Sequence, residues 1–428
     1  MQRALSYAAM PALRVPLPFM LAAPCFALAA ALLLVWHGEA ALVLRWTPVT
    51  LCMTHLVVLG FLTMTIVGSL FQLLPVTAGV AVPLARQVAV FCWCALALGT
   101  AVLAAALGLG LGATAFRLAA GLLGSAGFVF LSAIGAAIAR PVPAGAKPLV
   151  EGVRYAAAAL AITIAIGAAL ALYLGGVGTV NAPLLTDIHA TWGLVGWVIV
   201  LTATVSFQVI PMFQGTATYP RLLETWLPPL VFALLFGWSA ATLFDAAWWA
   251  LVCETGIGAL LLHYAVTTVA WLRGRKGKRK PDTGTRYWLL AMGCLLLAAL
   301  LHFIPFELVF DSVDALPLLT GVLVIVGCAM SAVNGMLYKI VPFLVWYHLA
   351  HDERLPRERI PRMSAVLGEA QAARQWRWHL AGLALLVLAC LFPAVLARPA
   401  GLFLMVSLLL LARDVAAAAL LYVRLRGA

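Results

Sequence analysis

The feature that most constrains this chain is a succession of about twelve apolar runs, each long enough to cross the hydrocarbon core of a bilayer as a helix. They lie near 16–36, 52–76, 87–110, 115–139, 154–175, 187–213, 225–245, 247–271, 286–306, 315–346, 379–397 and 399–423. Inside hydrocarbon, helices and closed barrels alone satisfy the backbone, and runs of this length are helical. The expected fold class is therefore an all-α polytopic membrane protein. Composition agrees. With 65% hydrophobic and 10% charged residues over 428 positions, too few charges remain to cover a water-facing surface. A soluble enzyme, a disordered chain and a disulfide scaffold are excluded on the same figures. The N-terminal run has no small-x-small site of a cleaved signal peptide, and no separate soluble domain is expected. Residues 1–428 are expected to form one membrane domain with a polar cytoplasmic loop at 350–378 that has room for an amphipathic helix.

Lys and Arg are shared unevenly between alternate loops, which sets an expected orientation. With the N-terminus in the cytoplasm, Arg86, Arg140, Lys147, Arg154, Arg221, the basic run from Arg273 to Lys280, the Arg354–Arg377 loop, Arg424 and Arg426 fall inside. Only Arg45, Arg117 and Arg398 fall outside. A bacterial cytoplasmic (inner) membrane with both termini cytoplasmic is the expectation. The net charge of +12 is then a topology signal. The basic run is expected to meet anionic headgroups of the lipid bilayer, with no nucleic-acid partner.

An internal repeat organises the runs. Phe71-Gln72-Leu73-Leu74-Pro75, Phe207-Gln208-Val209-Ile210-Pro211 and Tyr338-Lys339-Ile340-Val341-Pro342 share an aromatic-polar-x-x-Pro pattern, each with a small residue upstream (Gly68, Thr204, Gly335). The prolines are 136 and 131 residues apart. Each motif falls at the end of the second of four spans, where Pro is expected to stop the helix. The expected architecture is three four-helix repeats, near 16–140, 154–272 and 286–423, in a pseudo-threefold bundle.

His55 precedes Pro75 by 20 residues and His189 precedes Pro211 by 22, whereas the third repeat has Thr320-Gly321-Val322 there. Twelve spans as three four-helix units, with a His near the outer end of the second span, resemble subunit I of the heme–copper oxidase superfamily. The stretch from Thr54-His55-Leu56 through Gly68-Ser69-Leu70-Phe71 to Pro75 is similar to that family's second helix. The resemblance implies that His55 is an axial ligand of a non-covalent heme b. Phe343-Leu344-Val345-Trp346 after Pro342 is similar to the close of the family's tenth helix. The departures bear on activity: Pro317 to Ile340 holds no His, and the chain has no His-His pair. The copper–heme oxygen-reducing centre is therefore expected to be absent, and a complete oxidase or nitric-oxide reductase is not expected. By general character the chain also resembles the NnrS family of heme- and copper-binding membrane proteins.

Four histidines (His37, His55, His189 and His302) are expected near the outer face, and neutral imidazole suits heme or copper. His55 and His189 are the candidate heme ligands. Cys52, Met53 and His55 make a soft set for copper, with His37 and His302 as further metal candidates. Each has a plain alternative as an interfacial or packing residue. Asp187 either orients His189 or caps its helix, and the cap is favoured. Intramembrane charges need partners. Glu254 is a candidate proton-path residue or partner of an outer His, and Arg413 and Asp414, being adjacent, are expected to find separate partners. Lys339 is expected to snorkel, and Gln72, Gln208 and Asn334 to satisfy one another across the repeats.

Three functions are open: a heme-binding protein of a respiratory chain serving electron transport or nitric-oxide, heme or copper handling; a proton-coupled or small-molecule transporter; and a cofactor-free assembly subunit. Expected partners beyond lipid are other membrane subunits or a redox partner on the outer face. No Cys-x-x-Cys-His occurs, so any heme is non-covalent,.

Overall fold

The computed structural model describes residues 10–275, 281–302 and 315–427. Among these residues every regular element is helical. We label the long helices α1 (Leu17–Leu42), α2 (Pro48–Ala78), α3 (Ala85–Leu109), α4 (Ala113–Ile138), α5 (Ala144–Leu174), α6 (Ala182–Gln214), α7 (Arg221–Leu243), α8 (Ala247–Arg273), α9 (Thr283–Leu301), α10 (Ala315–Ala350), α11 (Glu369–Ala389) and α12 (Pro393–Gly427). Eleven are long and apolar enough to cross a membrane; α11 is the exception. Large apolar side chains such as Trp36, Phe128, Phe244 and Trp248 stay exposed on the helix flanks. A water-facing protein does not leave so much apolar surface bare, whereas lipid covers it at no cost. The chain is a multi-pass membrane protein.

The last two helices differ from the sequence expectation. The eleventh run was placed at 379–397, but α11 begins at Glu369 and ends at Ala389, and the break falls at 390–392. Glu369, Arg374 and Arg377 therefore lie on a helix, not in the loop. The 350–378 loop shrinks to 351–368. Pro393 opens α12 at the first helical position, where its missing N–H is not needed,. Pro399 lies inside the same helix and does not break it.

The three repeats have the same internal anatomy. Helices α2, α6 and α10 each contain an eight-residue π-helical stretch: Leu56–Thr63, Trp192–Ile199 and Leu323–Met330. Each stretch begins 19 residues before the motif proline. In the first, Met64 N–H donates to Leu59 O, five residues back. Gly60, Gly196 and Gly327 occupy the fifth position of each, a second repeated signal that the proline motif had hidden. At Gly60 an added Cβ would lie 2.4 Å from Phe26 of α1, and at Gly196 2.8 Å from Ala159 of α5. The small residue seven before each proline is used similarly: Gly68 faces Phe19, Gly335 faces Tyr287, and in the second repeat Gly152 of α5 receives Thr204. In the first two repeats the second helix is thus pressed against the first at two levels, and in the third at the Gly335 level.

The prolines do not stop these helices. Helix α2 runs three residues past Pro75, α6 three past Pro211 and α10 eight past Pro342. The stops are Gly79 (φ 69°) and Gly215 (φ 65°), each four residues after the proline and left-handed, with N–H bonded to the proline carbonyl,. The third repeat has Trp346 at that position, and α10 continues for another turn. At the opposite end, Thr47 and Asn181 cap α2 and α6, each accepting from the third N–H onward, with Pro48 and Pro183 in the first turn,. The cap of α6 is Asn181, which corrects the assignment to Asp187.

The described residues form two compact units: 70–275 with residue 10 and 292–302, and 11–69 with 281–291 and 315–427. In the first, the π stretch of α6 packs on α5 and α7. In the second, α12 packs along α11 and α1, and the π stretches of α2 and α10 touch.

Candidate functional site

His55 and His189 both sit at the entry to a π stretch, at zero and two residues' remove. His55 Nδ1 lies 2.8 Å from the Leu51 carbonyl of its own helix. His189 Nδ1 lies 3.0 Å from the Thr163 carbonyl of α5. A ring nitrogen facing a carbonyl must carry the proton, so the lone pair of each neutral ring is on Nε2. The His189 ring rests in a notch at Gly167, where an added Cβ would come within 2.7 Å of Cε1. An Nδ1–H held by a carbonyl, with a basic Nε2, is how a protein orients a metal-ligating imidazole. Both residues fit the role of a heme ligand.

The copper set is weaker. Cys52 is buried, while Met53 and His55 are partly exposed. Cys52 and His55, three apart, share a helix face. Among the described residues no group of three His, Cys, Asp or Glu side chains is placed to hold a metal ion. His37 closes the regular part of α1 and is partly exposed.

In the first unit, Glu254 of α8 meets two partners. Trp238 Nε1 of α7 donates to Oε1 at 2.6 Å, and His302 Nε2 is 4.0 Å from Oε2. Of the two alternatives for Glu254, a proton path or a histidine partner, the structure brings His302 to 4.0 Å from its carboxylate.

In the second unit the charged residues pair differently from expectation. Arg413 turns back on its neighbour: its Nε lies 3.0 Å and Nη2 2.5 Å from Asp414 Oδ1. The expectation of separate partners fails because Asp414 is 1% exposed and the long guanidinium stem reaches round to it,. Asp414 Oδ2 accepts from Tyr338, the motif aromatic, at 2.8 Å. Lys339 does not snorkel alone but donates to Asp282 at 2.7 Å. Among the described residues Gln72 Oε1 is buried with no hydrogen-bond partner, and Asn334 bonds to His379 rather than to another repeat's polar residue.

Asp282 caps α9 by accepting from Thr285 N and Oγ1, each at 2.8 Å. Burial opposes its charge, but Lys339 and the Thr285 donors outweigh that and hold the carboxyl below its usual range,. A depressed carboxylate stabilises the fold above its unfolded pKa and loses that contribution as pH falls through the folded value. The thermal midpoint is therefore expected to drop as pH falls below about 4, and to drop less in Asp282→Asn. Thermal unfolding in detergent across that range measures it.

One cluster escaped the sequence reading. His379 of α11, fully buried, places Nε2 2.8 Å from Ser331 Oγ and Nδ1 3.4 Å from Asn334 Nδ2, both on α10. Tyr287 of α9 donates to Gln375 Oε1, and Gln375 Nε2 donates to Ser407 of α12 at 2.9 Å. All are buried. The signal was present as spacing: Gln375 and His379 are four apart, and Ser331, Asn334 and Tyr338 are three and four apart. In comparisons with known proteins, no family model and no curated protein matches this sequence.

Proposed function

We propose that the protein is a heme b-binding integral membrane protein on a scaffold of the heme–copper oxidase kind. It would sit in a bacterial inner membrane with both termini cytoplasmic, and would serve electron transfer or nitric-oxide, heme or copper handling without reducing oxygen. The observation that carries this reading is the pair of imidazoles at the mouths of π stretches, each with Nδ1 tied to a backbone carbonyl. π-Helical segments occur disproportionately at functional sites. His55 in one compact unit and His189 in the other are each a candidate to hold a heme, which when bound would supply one-electron redox chemistry,. The chain's own part is orientation: Leu51 O and Thr163 O fix each ring, and Gly167 makes room for that of His189.

A reduced-minus-oxidised spectrum of the purified protein, with pyridine hemochrome and metal analysis on the same sample, tests the reading. A b-type α band in wild type that disappears in a folded His55→Ala variant is expected. A featureless spectrum from folded, heme-supplemented protein sinks it. A proton-coupled transporter is the second reading, favoured by the buried polar side chains shared among α9–α12; a cofactor-free spectrum with proton-dependent uptake would select it.

A further inference from the structure

The buried cluster around His379 has no part in the heme reading. Its members lie in one half of their helices. In α10 the polar side chains run from Ser331 through Asn334 and Tyr338 to Lys339, in α11 from Glu369 to His379, and in α12 from Ser407 to Asp414. The other halves, 315–330, 380–389 and 393–406, carry only Thr320, Arg398 and a cysteine beyond apolar residues and glycine. Hydrogen-bonding groups thus extend from the Asp282–Lys339 end of the unit to His379, about 15 Å along α11 from Glu369, and cease there.

His379 is the innermost titratable group of that series. Its ring faces Tyr287 of α9 at 5.6 Å between centroids, Ser331 and Asn334 of α10, and Gln375 one turn back on α11. Farther along, α10 carries Tyr338 and Lys339, α11 carries Arg374 and Arg377, and α12 carries Asp414 with Arg413. Among the described residues none of these charged groups hydrogen-bonds to the ring. With the Asn334 amide meeting Nδ1, the neutral ring holds its proton on Nε2 and donates to Ser331 Oγ. Ser331 in turn donates to Val326 O, a carbonyl of the π stretch, at 3.3 Å. Asn334 Oδ1 is then left buried with no hydrogen-bond partner. Rotating the amide by half a turn would put that unused acceptor on Nδ1. A second proton on the ring would replace a long neutral contact by a charge-assisted bond, with the Ser331–Val326 chain intact.

We propose that His379 is a reversible proton-binding site, with the Asn334 amide as the group that turns to receive the imidazolium. The proton is taken from bulk water, and the ring passes from imidazole to imidazolium with no redox change.

The test is nitrogen NMR of histidine-labelled full-length protein in lipid nanodiscs, from about pH 4 to about pH 8. One ring, absent in His379→Gln and displaced in Ser331→Ala, is expected to pass from singly to doubly protonated. If His379→Gln does not fold, Ser331→Ala alone assigns the ring. Asn334→Leu, which removes the acceptor, is expected to weaken proton affinity by about tenfold or more, and Asn334→Asp to strengthen it by about as much. A His379 ring that stays singly protonated down to the pH of unfolding, or that titrates unchanged in Asn334→Leu, overturns the proposal. The readout involves no cofactor, so it stands or falls separately from the heme spectrum.

Discussion

Arg413→Ala is expected to destabilise the protein by about 1–3 kcal/mol, the range for leaving a buried polar group short of a partner, because the Arg413 side chain is itself half exposed and only the Asp414 end of the pair is buried. The larger loss falls on the partner left behind. Asp414 is 1% exposed, and without the guanidinium its one remaining hydrogen-bond partner among the described residues is the Tyr338 hydroxyl. A carboxylate in that position must either stay charged in an apolar bundle or take up a proton. Two controls separate charge from packing. Arg413→Lys keeps the charge and is expected to recover part of the loss, because an ammonium lacks the two-nitrogen contact that Nε and Nη2 make with Oδ1. The double variant Arg413→Ala/Asp414→Asn removes the stranded charge while leaving an acceptor for Tyr338, and is expected to be more stable than Arg413→Ala alone. Thermal unfolding in detergent, followed by tryptophan fluorescence, measures all of them. Equal midpoints for the single variant and wild type would mean that the half-exposed guanidinium adds nothing to stability.

The second large effect is expected at Gly60. Leucine there would push its Cβ to 2.4 Å from Phe26, a distance that neither helix backbone nor a ring packed on α1 can accept without moving. Overpacking of this kind costs about 1–3 kcal/mol, and more where the backbone must shift. Gly60→Leu is expected to lower the thermal midpoint sharply, and Phe26→Ala in the same chain to restore part of it by opening the space. Gly121 of α4 supplies the control, since an added Cβ meets nothing within 4 Å there. Gly121→Ala is expected to be neutral or slightly stabilising, because alanine gives up less backbone entropy than glycine in a helix. A loss at Gly121 equal to that at Gly60 would remove the packing explanation.

The membrane helices and their repeat were legible because both rest on local patterns. An apolar run of about 20 residues has few alternatives to a spanning helix, and the aromatic-polar-x-x-Pro motif kept its spacing through α2, α6 and α10. The role of its proline was misjudged. Pro75 and Pro211 lie one turn before the left-handed glycines that end their helices, and the glycine at that position is what differs in the third repeat. The π stretches carry only a single glycine as a sequence mark, since a π turn is a change of hydrogen-bond register and any apolar residue can adopt it.

For the candidate site the division follows range. His55 and His189 could be singled out from spacing to a proline, and a histidine neighbour was one of two alternatives for Glu254, with His302 the one that lies 4.0 Å away. His379 was passed over because its environment comes from two other helices, contributed by residues 45 to 92 positions away. Arg413 and Asp414 were expected to part because adjacent side chains leave a helix in different directions. That holds for Cβ and fails for a flexible guanidinium with a buried carboxylate beside it. Hydropathy and local spacing, acting within a turn or two of one helix, determined which segments span, how they repeat and which histidines lie early in the second helix of the first two repeats. Which polar group meets which, where helices α2 and α6 end, and how a buried imidazole is satisfied depended on helices packed from distant parts of the chain. Hydrogen bonds and ion pairs are short-ranged and directional, so their partners exist only once that packing has formed.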